Sequence, residues 1–309
     1  MLDFPSKDAS RSDPRLDVLC DWIEASALFS GTPVSSVDAR EVLVEDKVCE
    51  RQDAADDLLA DVWRLLRARQ GLLGDGSPFR FKDQHIEAAA AWTDVPEYAY
   101  CLAVSYAFWD TPTGKSFGSD YTEQGELFEN LTQEALAHIF PGWSVHHTGW
   151  TRTKAQKIKD VVRGVAGFLG NAAREEAIAA WDLDEANEAG LDMVLMRPFS
   201  DTAGFAPLYF MQCASGGHWK PKTSEPHIKT WEKLIDLTYA PQKAFASPLS
   251  LLDGKNKHSI LKVDGIMLDR YRLLSGYRTG KPWTSPALRK KLVAWLKPRV
   301  KKLLKQAAS

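Results

Sequence analysis

Apolar residues recur at helical spacing from Leu16 through Leu19, Cys20, Ile23 and Leu28, and Asp13-Pro14 ahead of them is a helix start signal. Ser35 followed by Ser36, Val37, Asp38 and Ala39 predicts a short capped helix. Between Asp53 and Arg69, the side chains of Ala55, Leu58, Leu59, Val62, Leu65 and Leu66 form one stripe, which predicts an amphipathic helix. Residues 71–79 read as a turn region, and His85 to Trp92 and Tyr98 to Phe108 as two further helices. Residues 1–115 are therefore expected to form an all-helical domain.

A break follows at Thr111 to Gly118. It contains Gly114-Lys115-Ser116, the tail of a phosphate-binding loop, but the glycine required five residues earlier is Trp109, so the segment reads as a linker. Beyond it the pattern mixes two periods. Gly125 to Phe140 is amphipathic at helical spacing, and Pro141-Gly142 ends it. Trp143 to Trp150 reads as a strand and residues 155–181 as one or two helices. Gly164, Gly167 and Gly170 imitate a dinucleotide fingerprint, but they lie within a helical pattern rather than after a strand. Gly190 to Met196 and Ala206 to Cys213 are short apolar runs of buried-strand type, joined by a hairpin over Pro198 to Gly204. His227 to Tyr239 predicts a helix and Lys243 to Leu251 a last strand. The order is α-β-(helices)-β-β-α-β, an α/β fold with a mixed sheet, so the chain divides into residues 1–115 and 116–309.

Composition excludes several classes. The 309 residues are 44% hydrophobic and 26% charged, which rules out general disorder. No apolar run approaches the roughly 18 residues of a membrane span, so no membrane partner is expected. The start of the chain lacks the basic-then-apolar layout of a signal peptide. Four scattered cysteines without a Cys-x-x-Cys pair argue against a disulfide or zinc scaffold and fit a reducing cytoplasm.

Charge is unevenly distributed. Residues 1–140 carry 26 acidic and 12 basic side chains, whereas residues 141–309 carry 15 acidic and 27 basic ones. Either the basic half faces a polyanion or the two halves attract each other. The end of the chain sharpens the choice. Residues 287–309 hold Arg289, Lys290, Lys291, Lys297, Arg299, Lys301, Lys302 and Lys305 with no acid, beside an apolar stripe that includes Leu288, Leu292 and Trp295. Pro298 is expected to kink this helix. Lys290, Lys291 and Arg299 are candidate contacts to a nucleic-acid backbone. The competing reading docks the helix on the acidic domain, which itself offers a surface for a protein partner.

Candidate chemistry gathers in the second half. Glu129 lies on the helix that opens it, Asp192 at the start of one apolar strand and Gln212 at the end of the next. Adjacent antiparallel strands bring Asp192 and Gln212 into one cleft. Their oxygens are hard ligands suited to Mg²⁺ or Mn²⁺. Lys220 and Lys222 follow, either of which would neutralise charge developing on a phosphate, and Trp219 beside them is placed to stack on a sugar or base. Each also has a plain structural reading: Glu129 as a helix-start acid, Asp192 as a turn cap, Gln212 as a partner for backbone groups, Trp219 as packing. His146 and His147 alternate across a strand, so only one of them faces any cleft. Cys213 reads as a small buried hydrophobe.

Glu129 within Gly-x-x-Phe-Glu-x-Leu, then Gly190-Leu191-Asp192, then a strand ending in Gln212, resembles the PD-(D/E)XK, or restriction endonuclease-like, nuclease superfamily in its glutamine-bearing branch. The resemblance covers roughly residues 120–250. It implies an α-β-β-β-α-β core, Glu129 as the helix carboxylate, and Asp192 and Gln212 as metal ligands. It further implies metal-dependent DNA cleavage in bacterial defence against phage. The superfamily lysine stands two residues after the Glu or Gln; here Ala214 occupies that place. Lys220 is the first candidate to replace it and Lys222 the second. The departure supports an alternative, a catalytically inactive nuclease-fold subunit that binds nucleic acid or a partner within a complex.

Overall fold

The computed structural model describes residues 1–306 apart from 3, 5–8, 11–12, 15, 109–120, 149–157, 181–189, 202–205, 217–218 and 253–256. The Gly114-Lys115-Ser116 segment lies outside the described residues. A short pair, β1 (Ala9–Ser10) and β2 (Asp13–Pro14), precedes α1 (Leu16–Ser30), β3 (Val34–Ser35), α2 (Ser36–Glu45), α3 (Gln52–Leu73), β4 (Phe79–Lys82), β5 (His85–Ala88) and α4 (Pro96–Phe108). Next come α5 (Tyr121–Ile139), β6 (Ser144–His147), α6 (Ile158–Leu169), α7 (Glu175–Ala180), β7 (Met193–Met196) and β8 (Leu208–Cys213). They are followed by α8 (Trp219–Lys222), α9 (Ile228–Leu234), β9 (Gln242–Ala246), α10 (Lys257–Leu261) and β10 (Gly265–Leu268), and the chain closes with α11 (Arg270–Leu273) and α12 (Pro286–Gln306).

These elements form two compact units. The first combines Met1–Ser119, Pro248–Asn256 and Asp269–Ser309; the second combines Asp120–Ser247 and Lys257–Leu268. The division corrects the expected boundary at residue 115 in one respect: the basic C-terminal helix belongs with the N-terminal residues. Its apolar residues explain the placement. Leu288, Leu292, Trp295, Leu296, Val300 and Leu303 are buried, and α12 packs against α4. Glu97, fully buried at the start of α4, accepts hydrogen bonds from Arg289 at 2.9 Å, from Tyr277 at 2.5 Å and from the Thr284 hydroxyl.

The first unit is not all-helical. β3, β5 and β4 form a three-stranded antiparallel sheet, and the segment from His85 expected as a helix begins as strand β5. Lys82 pairs with His85 across a two-residue turn, where Asp83 takes a φ of 55°. Phe79, Phe81, Ile86 and Ala88 alternate with polar neighbours, the period of a half-buried hairpin. The expected capped helix is α2: the Ser35 hydroxyl accepts from Asp38 N at 3.0 Å, and the Asp38 carboxylate accepts from Ser35 N in return.

At the centre of this unit lies α1, buried at every residue from Asp17 to Phe29. Asp17, Asp21 and Glu24 would be prohibitively costly there alone, since unpaired buried charge costs several kcal/mol per ion. Two arginines neutralise them. Arg69 reaches Asp17 at 2.9 Å, Asp21 at 2.9 Å and Glu24 at 3.0 Å, and Arg270 reaches Asp21 at 2.8 and 3.1 Å. Ser105 also donates to Asp21, Tyr98 to Glu24 at 3.0 Å, and Ser250 to Asp17 at 3.0 Å. The cluster ties α1, α3 and α4 to Pro248, Ser250 and α11, which return to this unit late in the chain.

The second unit is built on a five-stranded mixed sheet in the order β10-β9-β8-β7-β6. β6, β7 and β8 run antiparallel in sequence, while β9 is parallel to both β8 and β10. From α5 to β9 the elements follow the expected order of helix, strand, helices, two strands, helix and strand. Val194, Met196, Leu208 and Phe210 pack with α6 (Val161, Val162, Val165) and α9 (Trp231, Leu234). Alternation turns Met193, Leu195, Met211 and Cys213 the other way, and α5 packs on β6 and β8. The strand expected to reach Leu251 stops at Ala246. Ser247 donates the last bond, to Leu268 O, and Pro248 has no N–H to continue the ladder. Gly164 and Gly167 lie inside α6, as the helical pattern required. No helix among the described residues is long and apolar enough to cross a membrane.

The buried cluster yields the first prediction. Burial alone would push the Asp21 carboxyl up, but the Arg270 and Arg69 charges, with hydrogen bonds from Arg270 and Ser105, hold it well below the ordinary carboxylate range. For Glu24, burial outweighs Arg69 and Arg270 and its pKa is raised. Asp21 therefore contributes stability that is present above its unfolded pKa of about 3.9 and is lost as pH falls below it. Glu24 has the opposite sign, and its penalty vanishes below about pH 4.3. Arg270→Leu leaves Asp21 undercompensated and is expected to lower unfolding free energy by about 3–5 kcal/mol in urea melts at neutral pH. Asp21→Asn should shrink the wild-type loss of stability below about pH 4. An unchanged midpoint for Arg270→Leu would contradict the cluster's role.

Candidate functional site

Asp192 stands one residue ahead of β7, directly after Gly190-Leu191. Gly190 takes a φ of 63°, and a Cβ there would lie 2.3 Å from a Glu225 carboxylate oxygen, so only glycine fits this turn. Asp192 N–H donates to Met211 O at 2.9 Å, although Met211 is already the register partner of Met193. Two residues thus face one on β8, the arrangement of a β-bulge, which bends a strand end and re-aims its side chain. On the other side, Asp192 O accepts from Thr148 N at 3.0 Å and from the Thr148 hydroxyl at 3.1 Å.

The Asp192 carboxylate turns onto the end of β8. Its Oδ2 accepts from Cys213 N–H at 2.6 Å and from Gln212 Nε2 at 2.6 Å. Gln212 Nε2 also donates to Cys213 O at 2.9 Å. Asp192 is 7% exposed and Gln212 1%. Gln212 Oε1 is buried without a hydrogen-bond partner. A buried amide oxygen left unpaired costs about 1–3 kcal/mol, and such an atom calls for an explanation.

Glu129 enters from α5. Its Oε2 lies 2.5 Å from His147 Nε2, so a proton sits between the two groups. His147 is partly buried, and His146, one residue back, stacks instead on Phe168 of α6 with ring centroids 5.1 Å apart. The expected alternation therefore holds, and His147 is the one that meets a candidate residue. Cys213 lies in the field of both carboxylates. Burial first, then the Asp192 and Glu129 charges, push its thiol far up, while the Lys222 charge acts the other way. A thiol held so firmly protonated is no nucleophile, as read from the sequence.

The remaining candidates separate. Lys222 is half-buried and its charge is felt at Cys213, whereas Lys220 is exposed, with its ammonium 5.9 Å from the Trp219 ring centroid. Trp219, expected to stack on a nucleotide, is 1% exposed and packs against Phe245, so its ring belongs to the core. Apolar area decides this: fully burying so large a ring is worth more than leaving it at the surface. Lys290, Lys291 and Arg299 lie on α12 in the first unit. Arg299 folds back over Trp295, 3.8 Å from the ring centroid, and donates to Trp295 O at 2.8 Å, so it is not displayed for a phosphate.

Among the described residues no three His, Cys, Asp or Glu side chains group closely enough to hold a metal ion. The Asp192 carboxylate meets the Gln212 amide through its nitrogen, and the carboxylate and the orphaned Gln212 Oε1 are both hard donors of the kind that bind Mg²⁺ or Mn²⁺. This donor chemistry fits a divalent cation, with Glu129, whose charge acts on Cys213 together with that of Asp192, as the second acid. In comparisons with known proteins, no family model, no curated protein and no solved structure matches the chain.

The pair makes a direct prediction. Gln212→Leu removes a donor from the buried Asp192 Oδ2, a loss that outweighs relief of the unpaired Oε1, and is expected to destabilise the protein by about 1 kcal/mol, read from the urea midpoint. A midpoint within error of wild type would show that Asp192 does not depend on Gln212.

Proposed function

We propose that the chain is a metal-dependent nuclease that hydrolyses phosphodiester bonds of DNA at the Asp192–Gln212 end of its mixed sheet. The observation that carries this reading is the buried pair itself: a carboxylate held against a glutamine whose own oxygen has no partner. Support comes also from the strand order, three antiparallel strands followed by a parallel one, which agrees with the restriction endonuclease-like core that the sequence resembles. Asp192 and Gln212 would hold Mg²⁺ or Mn²⁺, with Glu129 completing the acidic set. A cation bound there supplies positive charge against the phosphoryl oxygens and acidifies water. Asp192 is fixed by Cys213 N–H and Gln212 Nε2, so its oxygens keep one orientation. Glu129 is oriented by His147. Lys222, half-buried where Lys220 is exposed, takes the role of the lysine absent at Ala214, and it replaces Lys220 as the first candidate. Anti-phage defence in a bacterial cytoplasm is the setting that the resemblance implies.

The second reading, a nuclease-fold subunit that binds without cutting, is favoured by Ala214 and by the lack of a three-residue His, Cys, Asp or Glu group among the described residues. Plasmid cleavage in Mg²⁺ or Mn²⁺ separates the two. Under the nuclease reading wild type cuts, and Asp192→Asn loses at least about 100-fold, since metal-borne charge stabilisation is worth several kcal/mol. Lys222→Ala should lose cleavage while Lys220→Ala keeps it. Full cleavage by folded Asp192→Asn protein would overturn the site; wild type that binds DNA and metal without cutting would establish the second reading.

Gln212→Glu tests the cation without using activity. A second carboxylate beside Asp192 is repulsive, so the melting temperature should fall in EDTA. Added Mn²⁺ should restore it, because the cation offsets both charges. A variant equally unstable with and without Mn²⁺ would show that no cation binds there.

A further inference from the structure

Helix α12 divides cleanly around its circumference. Leu288, Leu292, Trp295, Leu296, Val300 and Leu303 are buried within the first unit. The opposite side exposes Lys290, Lys291, Lys297, Lys301 and Lys305, and the helix contains no acid. None of these five lysines is engaged by an ion pair among the described residues. At 1.5 Å per residue they extend over about 22 Å of helix axis. We propose that the first unit binds the sugar-phosphate backbone of double-stranded DNA through this lysine face, on a unit other than the one that carries the Asp192–Gln212 pair.

Regular free ammoniums without base-reading side chains suit a repeating phosphate charge and confer no sequence preference. Other occupants fit less well. A membrane-surface helix needs an apolar face to insert, and here the large apolar residues, Leu304 and the half-buried Val293 apart, are already buried within the unit. A protein interface needs an apolar or aromatic centre, which the lysine face lacks. Charge elsewhere in the unit gives the binding a direction. α3 exposes Asp53, Asp56, Asp57 and Asp61 and packs on α1 and α2, whereas α12 packs on the α4 side. A polyanion is attracted by the exposed lysines of α12 and repelled by the exposed acids of α3.

The inference stands on the first unit alone, so it is tested without divalent cation. Fluorescence anisotropy of a labelled DNA duplex is measured against the full chain in EDTA across a salt series. Wild type is expected to lose affinity steeply with salt. The combined variant K290Q/K291Q/K297Q/K301Q/K305Q should flatten the slope of log affinity on log salt by up to about 4.5, close to 0.9 for each of the five lost phosphate contacts. At about 0.1 M salt its affinity should fall more than about tenfold. The five side chains are exposed, so the variant keeps its fold, and D53N/D56N/D61N should leave the slope unchanged. An unchanged slope in the five-lysine variant, or tighter binding to phosphatidylserine vesicles than to the duplex, would overturn the proposal. Retained binding by a protein that does not cleave leaves this inference standing and removes only the nuclease reading.

Discussion

A carboxylate taken out of water must be met by donors or it does not stay ionised. At the end of β7 that requirement falls on Asp192, and the sheet meets it with the Cys213 amide and the Gln212 side chain, both at 2.6 Å. Hydrogen bonds to a charged group are worth about 1.5–3 kcal/mol each, enough to hold the acid in one orientation. The requirement propagates outward. Gly190 must turn with positive φ to deliver Asp192, Thr148 must secure its carbonyl, and the ladder must slip by one residue to aim its side chain. What is left over is Gln212 Oε1, a buried acceptor with nothing to accept. Under the proposed reading that acceptor is one ligand of a divalent cation.

The first unit solves the same problem differently. Three acids on buried α1 share two arginines, one from α3 and one from α11. Arg270 arrives from the basic half of the sequence, and Arg289 from the same half pairs with Glu97. The charge asymmetry is thus partly consumed inside one unit, as attraction between the halves. On α12, Lys290, Lys291, Lys297, Lys301 and Lys305 are exposed and make no ion pair among the described residues.

Much of the fold was legible from periodicity. The apolar runs ending in Met196 and Cys213 are strands, and the amphipathic stripes from Asp53 and from Gly125 are helices, because burying one face leaves an unmistakable period. The β4–β5 hairpin was missed although Phe79, Phe81, Ile86 and Ala88 alternate in the sequence; its two-residue turn at Asp83-Gln84 carries no glycine to mark it. The return of residues 248–256 and 269–309 to the first unit was illegible because it depends on partners far away in sequence. Nothing local in the sequence marks Asp17, Asp21 and Glu24 as buried; Arg69 and Arg270, which neutralise them, stand far away along the chain. In the site, Asp192 and Gln212 could be paired from strand order alone. The Glu129–His147 contact depends on side-chain directions that spacing does not encode.

The central claim is that Asp192 and Gln212 Oε1 form a divalent-cation site. It is tested most directly by the anomalous difference map of crystals soaked in Mn²⁺. The account predicts a peak within ligand distance of an Asp192 carboxylate oxygen and Gln212 Oε1, at about 2.0–2.3 Å, and its loss in Asp192→Asn crystals. A well-ordered Asp192–Gln212 pair with no peak beside it, at Mn²⁺ concentrations that saturate other sites, would contradict the claim.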